Sequence, residues 1–285
     1  MQIITNTEID LSSVEHLIDL ALSEDLLYGD ITTENIIDNA KQVIAIFKAK
    51  ANGIIVGLFI AEQVFKKLDK NIVWSPKFND GDFVKNGDIL VEFSGSYRAI
   101  LSCERTALNF VQRMSGIATK TNEFVKEIIG TNSKILDTRK TLPAYRMLDK
   151  YSVKMGGGTN HRIGLYDLAM IKDNHIKIAG GITNAVKKIR TSINSNIKIE
   201  VETSNMQEVI EAINCNVDII MLDNMNTADM KKAVDFIDKR ALVEASGNVK
   251  IERVRSIAQT GVDFISIGAL THSVVALDIS QYILD

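Results

Sequence analysis

The segment IKIEVETSNMQEVIEAINCNVDIIMLD, residues 197–223, holds two apolar strands with an amphipathic helix between them. IKIEVE and VDIIML are short runs rich in β-branched residues, whereas MQEVIEAI carries apolar residues at helical spacing. Glu202 ends the first strand and Asp223 follows the second. Strand, helix and strand in this order predict a βαβ unit with parallel strands and a helix packed on the sheet.

The same alternation extends over the second half of the chain. Strands are predicted at 134–138, 168–173, 197–202, 217–222, 241–245 and 263–267. The last four recur about every 22 residues, a spacing typical of repeated βα units. Such even spacing favours an α/β barrel over a doubly wound sheet, and a seventh strand has room between residues 150 and 165.

The first 105 residues follow a different pattern. A helical start at 11–26 precedes strand-like runs at 43–58 and 73–102. Asp-Gly and Asn-Gly dipeptides in NDGDFVKNGDIL, residues 79–90, predict tight hairpins. The pattern is similar to the β-sandwich of biotinyl and lipoyl carrier domains, but without a carrier-type lysine hairpin. The predicted domains are a sandwich-like domain at 1–105, a barrel at 106–272, and a C-terminal helix at 273–285 that is free to return to the first domain.

A helical region is predicted at 103–129, where one face is apolar. The apolar stripe is formed by Ala107, Leu108, Val111, Met114 and Ala118. The other side carries Arg105, Asn109, Gln112 and Arg113, which would face solvent on a monomer.

Composition and charge argue against several classes of protein. The 285 residues carry a net charge of −3, which gives no electrostatic reason to expect nucleic-acid binding. The longest apolar run, residues 54–61, is far shorter than the roughly 20 residues of a membrane helix. Residues 1–16 lack the basic region of a secretory signal, and Cys103 and Cys215 fit no zinc or redox spacing. We therefore expect a cytoplasmic protein.

Charged or small residues follow every predicted strand of the barrel region. Because the carboxyl ends of parallel barrel strands meet at one face, these residues are expected to share a site. Cationic side chains suited to carboxylates or phosphates are Arg139, Lys140, His161, Arg162 and Lys172, with His175 as a further candidate. Glu202 and Asp223 suit sugar hydroxyls, a divalent cation or developing positive charge. The turns ASGN, at 245–248, and SIG, at 266–268, occupy the usual barrel position for a phosphate.

The glycine run in GGGTNHRIG, residues 156–164, is a weak signal for phosphate. A phosphate-binding loop normally follows a strand and opens a helix, whereas this loop precedes a strand. We therefore expect Gly156–Gly158 to let the chain turn and present His161 and Arg162 to an anion, without binding a phosphate themselves.

These residues resemble the quinolinate phosphoribosyltransferase family, also called carboxylating nicotinate-nucleotide pyrophosphorylases. The central match is DTRKTLPAYRMLDKYSVKMGGGTNHRIGLYDLAMIKDNHI, residues 137–176. The resemblance continues in order through SEDLLYGDITTE, SCERTALNFVQRMSGIAT, IEVETSN, DIIMLDNM, LVEASGN and ISIGALTHS. It implies an α/β fold: an incomplete, seven-stranded α/β barrel with an open β-sandwich-like α+β domain at the N-terminus. It also implies a homodimer or a hexamer in which one subunit's N-terminal domain covers its partner's barrel mouth.

The resemblance implies transfer of phosphoribosyl from phosphoribosyl pyrophosphate to quinolinate, with loss of carbon dioxide, using Mg²⁺ and no organic cofactor. Lys140, Glu202 and Asp223 would act in catalysis, the two acids also serving Mg²⁺ largely through substrate and water. Quinolinate would be bound by Thr138, Arg139, His161, Arg162, Lys172 and the neighbouring subunit's Arg105. Phosphoribosyl pyrophosphate would be bound by Lys140, Lys172, Glu202, Asp223, Ser246, Gly247, Asn248, Ser266, Ile267 and Gly268.

Two other functions fit parts of the pattern. A paralogous group associated with molybdenum transport shares the fold, but the intact DTRKT and GGGTNHR stretches favour the quinolinate enzyme. A non-catalytic barrel that senses a phosphorylated metabolite would gain nothing from Glu202 and Asp223 beside the cationic residues.

Overall fold

The computed structural model describes residues 11–284. The predictions on a secretory signal fall largely on residues 1–10, which lie outside the described residues. Contacts divide the described chain into two units. The amino-terminal unit comprises 11–122, 142–157 and 273–284, and the parallel-sheet unit comprises 123–141 and 158–272. The division thus falls after residue 122 rather than 105, because the apolar stripe of the long helix packs in the amino-terminal core.

Helices and strands alternate along most of the chain. The helices are α1 (Leu11–Leu26), α2 (Ile31–Ile36), α3 (Leu58–Leu68), α4 (Tyr97–Glu127), α5 (Arg146–Met155), α6 (Asp173–Ala179), α7 (Ile182–Ser192), α8 (Met206–Asn214), α9 (Thr227–Ile237), α10 (Ile251–Ala258) and α11 (Ala269–His272). The strands are β1 (Gln42–Ala49), β2 (Gly53–Ile54), β3 (Val73–Pro76), β4 (Phe83–Val84), β5 (Ile89–Ser96), β6 (Lys134–Leu136), β7 (Ala169–Ile171), β8 (Ile199–Thr203), β9 (Ile219–Asp223), β10 (Leu242–Ser246), β11 (Phe264–Ser266) and β12 (Ile279–Leu284).

The amino-terminal unit contains an antiparallel sheet of order β12-β1-β5-β3 and a separate β2–β4 pair. The prediction of a C-terminal helix was wrong, because β12 pairs antiparallel with β1, from Ile44 opposite Leu284 to Ala49 opposite Ile279. ISQYIL is rich in β-branched and aromatic residues, and it satisfies backbone groups of β1 that would otherwise form a sheet edge.

The tight turns predicted in residues 79–90 are present, but they do not connect paired neighbours. Gly81 and Gly87 adopt left-handed φ values of +95° and +100°. Backbone hydrogen bonds of 3.1 Å close both turns, from Asp82 to Asn79 and from Asp88 to Lys85. However, β4 pairs with β2, whereas β3 and β5 pair with each other. The turns therefore move the chain between two sheets, and the predicted hairpins do not form.

The predicted apolar stripe of α4 is confirmed, since its five residues are at most 1% exposed. The opposite side is not uniformly solvated. Arg105 has a side chain that is 64% exposed, whereas the Arg113 side chain is only 19% exposed and pairs with buried Asp149. One face of a single helix thus presents one exposed and one internal arginine.

The parallel-sheet unit confirms the predicted strands. All six form one parallel sheet of order β6-β11-β10-β9-β8-β7. A seventh strand is reduced to one parallel bridge between Leu136 and Thr159, at the free edge of β6. Helices α7 to α10 alternate with the strands, as the βαβ pattern predicts. The carboxyl ends of the strands consequently lie along one edge of the sheet. Among residues 11–284, no helix combines the length and apolar character that a membrane span requires.

Candidate active site

A cavity of about 750 Å³ opens at the carboxyl ends of the parallel strands. It lies wholly within the parallel-sheet unit. Each of the six parallel strands contributes to the cavity wall through its last residues or through the loop that follows it. Its size suits a metabolite of moderate size, and Lys, Arg, Asp and Glu side chains line it.

The cavity brings together most of the residues predicted from sequence. Those that line it are Thr138, Arg139, Lys140, His161, Arg162, Lys172, Glu202, Asp223, Ser246, Gly247, Asn248, Ser266 and Gly268. Ile267 is 1% exposed and does not line it. Arg105 belongs to the amino-terminal unit and does not line it either. Residues not predicted are Met170, Met221, Asn224, Glu244, Val249, Lys250, Ala269 and His272.

Two arginines form the cationic side of the cavity. Arg139 follows β6 and has a buried Nε that finds no hydrogen-bond acceptor among the described residues. The Arg162 guanidinium donates to the carbonyl oxygen of Leu168 at 3.0 Å. Burial lowers the pKa of Arg162, and the positive charge of Arg139 lowers it further. Like charges held beside each other in a cavity are the electrostatic signature of an anion-binding site.

Lys172 connects the cationic and acidic sides. Its Nζ lies 2.7 Å from a carboxylate oxygen of Glu202, which ends β8. His175, a further candidate for the cationic group, does not line the cavity. Its Nδ1 instead accepts the backbone N–H of Lys172 at 3.0 Å, so it fixes the start of α6 and the loop that carries Lys172.

Asn224 links the acidic side to the loop after β10. Its amide donates to Asp223 at 2.6 Å and accepts from the Asn248 amide at 3.2 Å. Gly247 has φ +94°, and a Cβ there would lie 2.3 Å from the Asn224 Oδ1. Because only glycine fits beside Asn224, the ASGN turn and Asp223 are held in one arrangement.

The loop after β11 makes room for Lys140. A Cβ on Gly268 would lie 2.9 Å from Cδ of Lys140 and 3.1 Å from the His272 ring. The Thr271 hydroxyl donates to the carbonyl oxygen of Lys140 at 2.8 Å. Ser266 has a buried hydroxyl that finds no hydrogen-bond partner among the described residues. The loop thus offers a polar group to a ligand and sets the course of the Lys140 side chain.

His161 contacts buried protein groups. Its backbone N–H donates to Asp137 at 2.8 Å, and its Nδ1 accepts the backbone N–H of Arg162 at 2.6 Å. Its Nε2 lies 3.3 Å from a carboxylate oxygen of Glu200 and 3.2 Å from one of Glu244. Both glutamates are at most 1% exposed. Neither glutamate was predicted from the sequence to have a role.

Two members of this cluster, His161 and Glu200, have raised pKa values. Burial lowers the pKa of His161, but the nearby carboxylates of Glu244 and Glu200 outweigh it and raise the pKa to about 10. Burial and the charge of Glu244 raise the pKa of Glu200. A doubly protonated ring would direct Nδ1–H against the N–H of Arg162. The Nδ1 contact therefore opposes the double protonation that the two carboxylates favour, and the fixed direction of the backbone N–H places the single ring proton on Nε2, facing the carboxylates.

Two of the three glycines before His161 meet a requirement of the backbone. A Cβ on Gly156 would lie 2.4 Å from the carbonyl oxygen of Ala118 on α4. Gly157 has φ +89°, a left-handed value that favours glycine. The run therefore lets α5 end closely packed on α4 and lets the chain turn toward Thr159.

Comparison with known proteins agrees with this geometry. Residues 30–115 match the N-terminal domain of quinolinate phosphoribosyl transferase, and residues 117–281 match its C-terminal domain. The chain belongs to the quinolinate phosphoribosyltransferase family. The two family domains together span most of the residues in which the resemblance was seen.

Individual members of the quinolinate phosphoribosyltransferase family are similar to nearly the whole of this chain. The chloroplastic nicotinate-nucleotide pyrophosphorylase [carboxylating] of Arabidopsis thaliana is 44% identical, with 95% of this chain and 82% of the relative covered. The mitochondrial quinolinate phosphoribosyltransferase [decarboxylating] 2b of Nicotiana tabacum is 43% identical, with 94% and 81% covered. The solved nicotinate-nucleotide pyrophosphorylase of Francisella tularensis is 41% identical and superposes with a TM-score of 0.94, covering 100% of this chain and 99% of its own.

Proposed function

We propose that this chain transfers the phosphoribosyl group of phosphoribosyl pyrophosphate to quinolinate, releasing pyrophosphate and carbon dioxide and forming nicotinate mononucleotide. One observation carries the proposal. The paired guanidinium groups of Arg139 and Arg162 share a cavity with the carboxylates of Glu202 and Asp223. The first pair suits a diacid, and the second suits a sugar whose anomeric carbon becomes positive.

Quinolinate binds on the cationic side in this proposal. Arg139 and Arg162 meet its two carboxylates, because guanidinium groups form paired hydrogen bonds with carboxylates. The unpartnered Nε of Arg139 supports this assignment. Thr138 supplies a hydroxyl, and Lys172 supplies a further positive charge when the diacid competes with Glu202 for its ammonium group.

Phosphoribosyl pyrophosphate binds across the remaining wall. Lys140 faces the pyrophosphate, and Glu202 and Asp223 accept hydrogen bonds from the ribose hydroxyls. The 5′-phosphate lies at the turns 246–248 and 266–268, where the unpartnered hydroxyl of Ser266 supports an anion. The N–H of Ile267 donates to the Leu136 carbonyl oxygen at 3.0 Å, so Ile267 shapes the second turn and its N–H stays with the sheet.

The reaction needs no protein nucleophile. The pyridine nitrogen attacks the anomeric carbon as the bond to pyrophosphate breaks, and Lys140 balances the charge that develops on the leaving group. Glu202 and Asp223 stabilise the positive charge that develops on the sugar. Once alkylated, the ring nitrogen draws electrons from the neighbouring carbon, which loses its carboxylate as carbon dioxide and then takes up a proton.

Glu202 and Asp223 also fit a Mg²⁺ ion that is held largely by substrate and water. Two carboxylates are hard oxygen donors, and Mg²⁺ usually combines one or two of them with substrate phosphates and retained waters. The ion supplies charge neutralisation for the pyrophosphate. Lys172 forms an ion pair with Glu202 in the structure. Quinolinate would compete for the Lys172 ammonium group, and Mg²⁺ would compete for the Glu202 carboxylate.

We further propose a homodimer or hexamer in which Arg105 reaches the cavity of a neighbouring subunit. The 64% exposure of the Arg105 side chain supports this role, as does its long ion pair with Glu104, in which the charged atoms are 4.0 Å apart. A cytoplasmic location stays a prediction. The names of the Arabidopsis and tobacco relatives place those proteins in chloroplasts and mitochondria.

Replacing either arginine tests the diacid assignment. Arg139→Ala or Arg162→Ala removes a charge-assisted pair worth about 2–5 kcal/mol when desolvated, so kcat/KM for quinolinate should fall roughly 30- to 5,000-fold. Arg253→Ala, on the exposed side of α10, is the matched control and should keep wild-type kinetics. Near-normal quinolinate turnover in either cavity variant would sink the assignment.

A further inference from the structure

Glu244 lies at the floor of the cavity, and Glu200 is fully buried outside the cavity lining. Side chains two positions apart on a strand share a face, so Glu200 lies beneath Glu202 on β8 and Glu244 lies beneath Ser246 on β10. The pair is fully buried, with exposures of 0% and 1%. Interior positions of a parallel sheet are normally apolar, and a carboxylate there is costly unless it is paired.

The partner that these two carboxylates share is His161. The imidazole Nδ1 accepts the backbone N–H of Arg162, whereas Nε2 lies at ion-pair distance from both glutamates without the geometry of a hydrogen bond to either. The loop is fixed from a second side by Asp137, which accepts the His161 backbone N–H at 2.8 Å and the Asn160 amide at 2.6 Å. The ring therefore has no nitrogen directed freely into the cavity.

Arg162 is the residue on which this arrangement converges. Its backbone N–H is bound by the His161 ring, and its guanidinium is bound by the Leu168 carbonyl oxygen. The negative charges of Glu200 and Glu244 also act on Arg162 directly and favour its cationic form. A change in the buried glutamates would therefore alter the position and the electrostatic environment of the Arg162 guanidinium, which meets the diacid.

We propose that Glu200 and Glu244 are positioning residues for recognition of the aromatic diacid. They hold the His161 ring from below, and His161 in turn holds the backbone of Arg162, so that its guanidinium points into the cavity. His161 is then a support for Arg162 rather than a ligand of a substrate carboxylate. This inference rests on the proposed function, because it concerns the diacid side of that cavity.

Neutralising either glutamate separates this role from simple electrostatics. Glu244→Gln or Glu200→Gln removes a negative charge from beneath an anion site, so charge alone would lower KM for quinolinate. Loss of positioning predicts the opposite, a KM raised between about ten- and a hundredfold. KM for phosphoribosyl pyrophosphate and Tm should stay near wild type, since the amide is isosteric with the carboxylate. A purely structural role would instead lower Tm and leave the KM for quinolinate unchanged.

A second variant tests whether the glutamates act through the imidazole. In a His161→Ala background, Glu244→Gln should raise KM for quinolinate no further, because the contact it disrupts is already gone. Full additivity of the two changes would overturn the proposal, as would a lowered or unchanged KM in the single variants. Glu252→Gln, an exposed acid on α10, is the matched control for loss of one charge.

Two further outcomes are decisive. The three side chains also have the spacing of a metal site, with ligand atoms within 4.8 Å of one another. One tightly bound divalent ion per chain in the purified protein would overturn the proposal, because Nε2 would then be a metal ligand. Calorimetric binding of quinolinate to the wild-type protein separates failure of the proposed function from failure of the positioning role. If the wild-type protein neither binds nor converts quinolinate, both proposals fail. If it does both, the glutamate variants alone decide whether Glu200 and Glu244 are positioning residues.

Discussion

Glu200 and Glu202 lie two positions apart in β8, yet only Glu202 was expected to have a role. Site residues were predicted from their position at or just after the end of a strand. This criterion identified Arg139, Lys172, Glu202 and Asp223, all of which line the cavity. It does not identify a residue that lies earlier in the strand. The period of two in IEVE was a usable signal, because it places Glu200 on the same face as Glu202. The ring contacts of His161 depend on strands that are distant in sequence, and no local pattern predicts them.

Gly247 provides a test at the scale of one residue, with Gly87 as a matched control. Both have left-handed backbones, with φ +94° and +100°, so alanine at either should cost stability on the order of 1 kcal/mol. Only at Gly247 would the new Cβ strike Asn224, whereas nothing lies within 4 Å at Gly87. Gly247→Ala should therefore raise KM for phosphoribosyl pyrophosphate about tenfold or more, and Gly87→Ala should not. Equal KM values in the two variants would show that the Asn224 contact does not shape the binding site.

At the scale of the element, periodicity predicted the barrel strands, α1 and α8 closely. It missed α3, whose apolar start continues the strand-like run IIVGL, and it gave a helix where β12 forms. Both errors concern short apolar segments whose secondary structure depends on the element that they pack against or pair with. β12 is a strand because β1 has a free edge, and that edge is invisible in local sequence. The turns at 79–90 were predicted from Gly φ requirements, but which strands they join depends on the assembled sheets.

Helix α4 offers a comparison of two arginines on one element. The Arg113 guanidinium pairs with Asp149 through contacts of 3.0 and 2.8 Å. Arg113→Ala would leave a buried carboxylate without this partner and should lower the free energy of unfolding by about 3–5 kcal/mol. Arg105→Ala removes an exposed side chain and should leave stability unchanged while reducing activity. Urea denaturation at one protein concentration measures the stability of both variants, and a quinolinate turnover assay measures their activity.

The pH dependence of that loss gives a further check on the same pair. Burial raises the pKa of Asp149, and the hydrogen bond and charge of Arg113 partly offset the rise. Without Arg113 the pKa rises further, so the folded state holds the proton more tightly than the unfolded chain. The stability deficit of Arg113→Ala should therefore shrink as pH falls from 8 toward 5 and grow as pH rises. A deficit that does not vary with pH would contradict the assignment of Asp149 as a buried, unpaired carboxylate in the variant.

At the scale of the whole molecule, the regular spacing of strands predicted a parallel α/β sheet with one functional edge. That edge is where the cavity lies, because parallel strands with helical crossovers bring all their carboxyl ends together. The number of units was harder to predict than their type. The long helix α4 carries no break near residue 105, so its assignment to a unit depends on which core its apolar stripe enters.

Assembly is tested by restoring activity from two inactive chains. Arg105→Ala and Lys172→Ala should each lose most activity, because each removes one contribution to the same type of site. If Arg105 acts in a neighbouring subunit, mixed dimers contain one intact site, and activity should partly return on re-assembly. No recovery in dimers verified to be mixed would count against a site completed across subunits.

The most direct test of the central claim is product formation by the wild-type protein given quinolinate, phosphoribosyl pyrophosphate and Mg²⁺. We expect nicotinate mononucleotide, pyrophosphate and carbon dioxide in equal amounts, with no product when either substrate is omitted. Failure to form nicotinate mononucleotide, or its formation from nicotinate without release of carbon dioxide, would contradict the account.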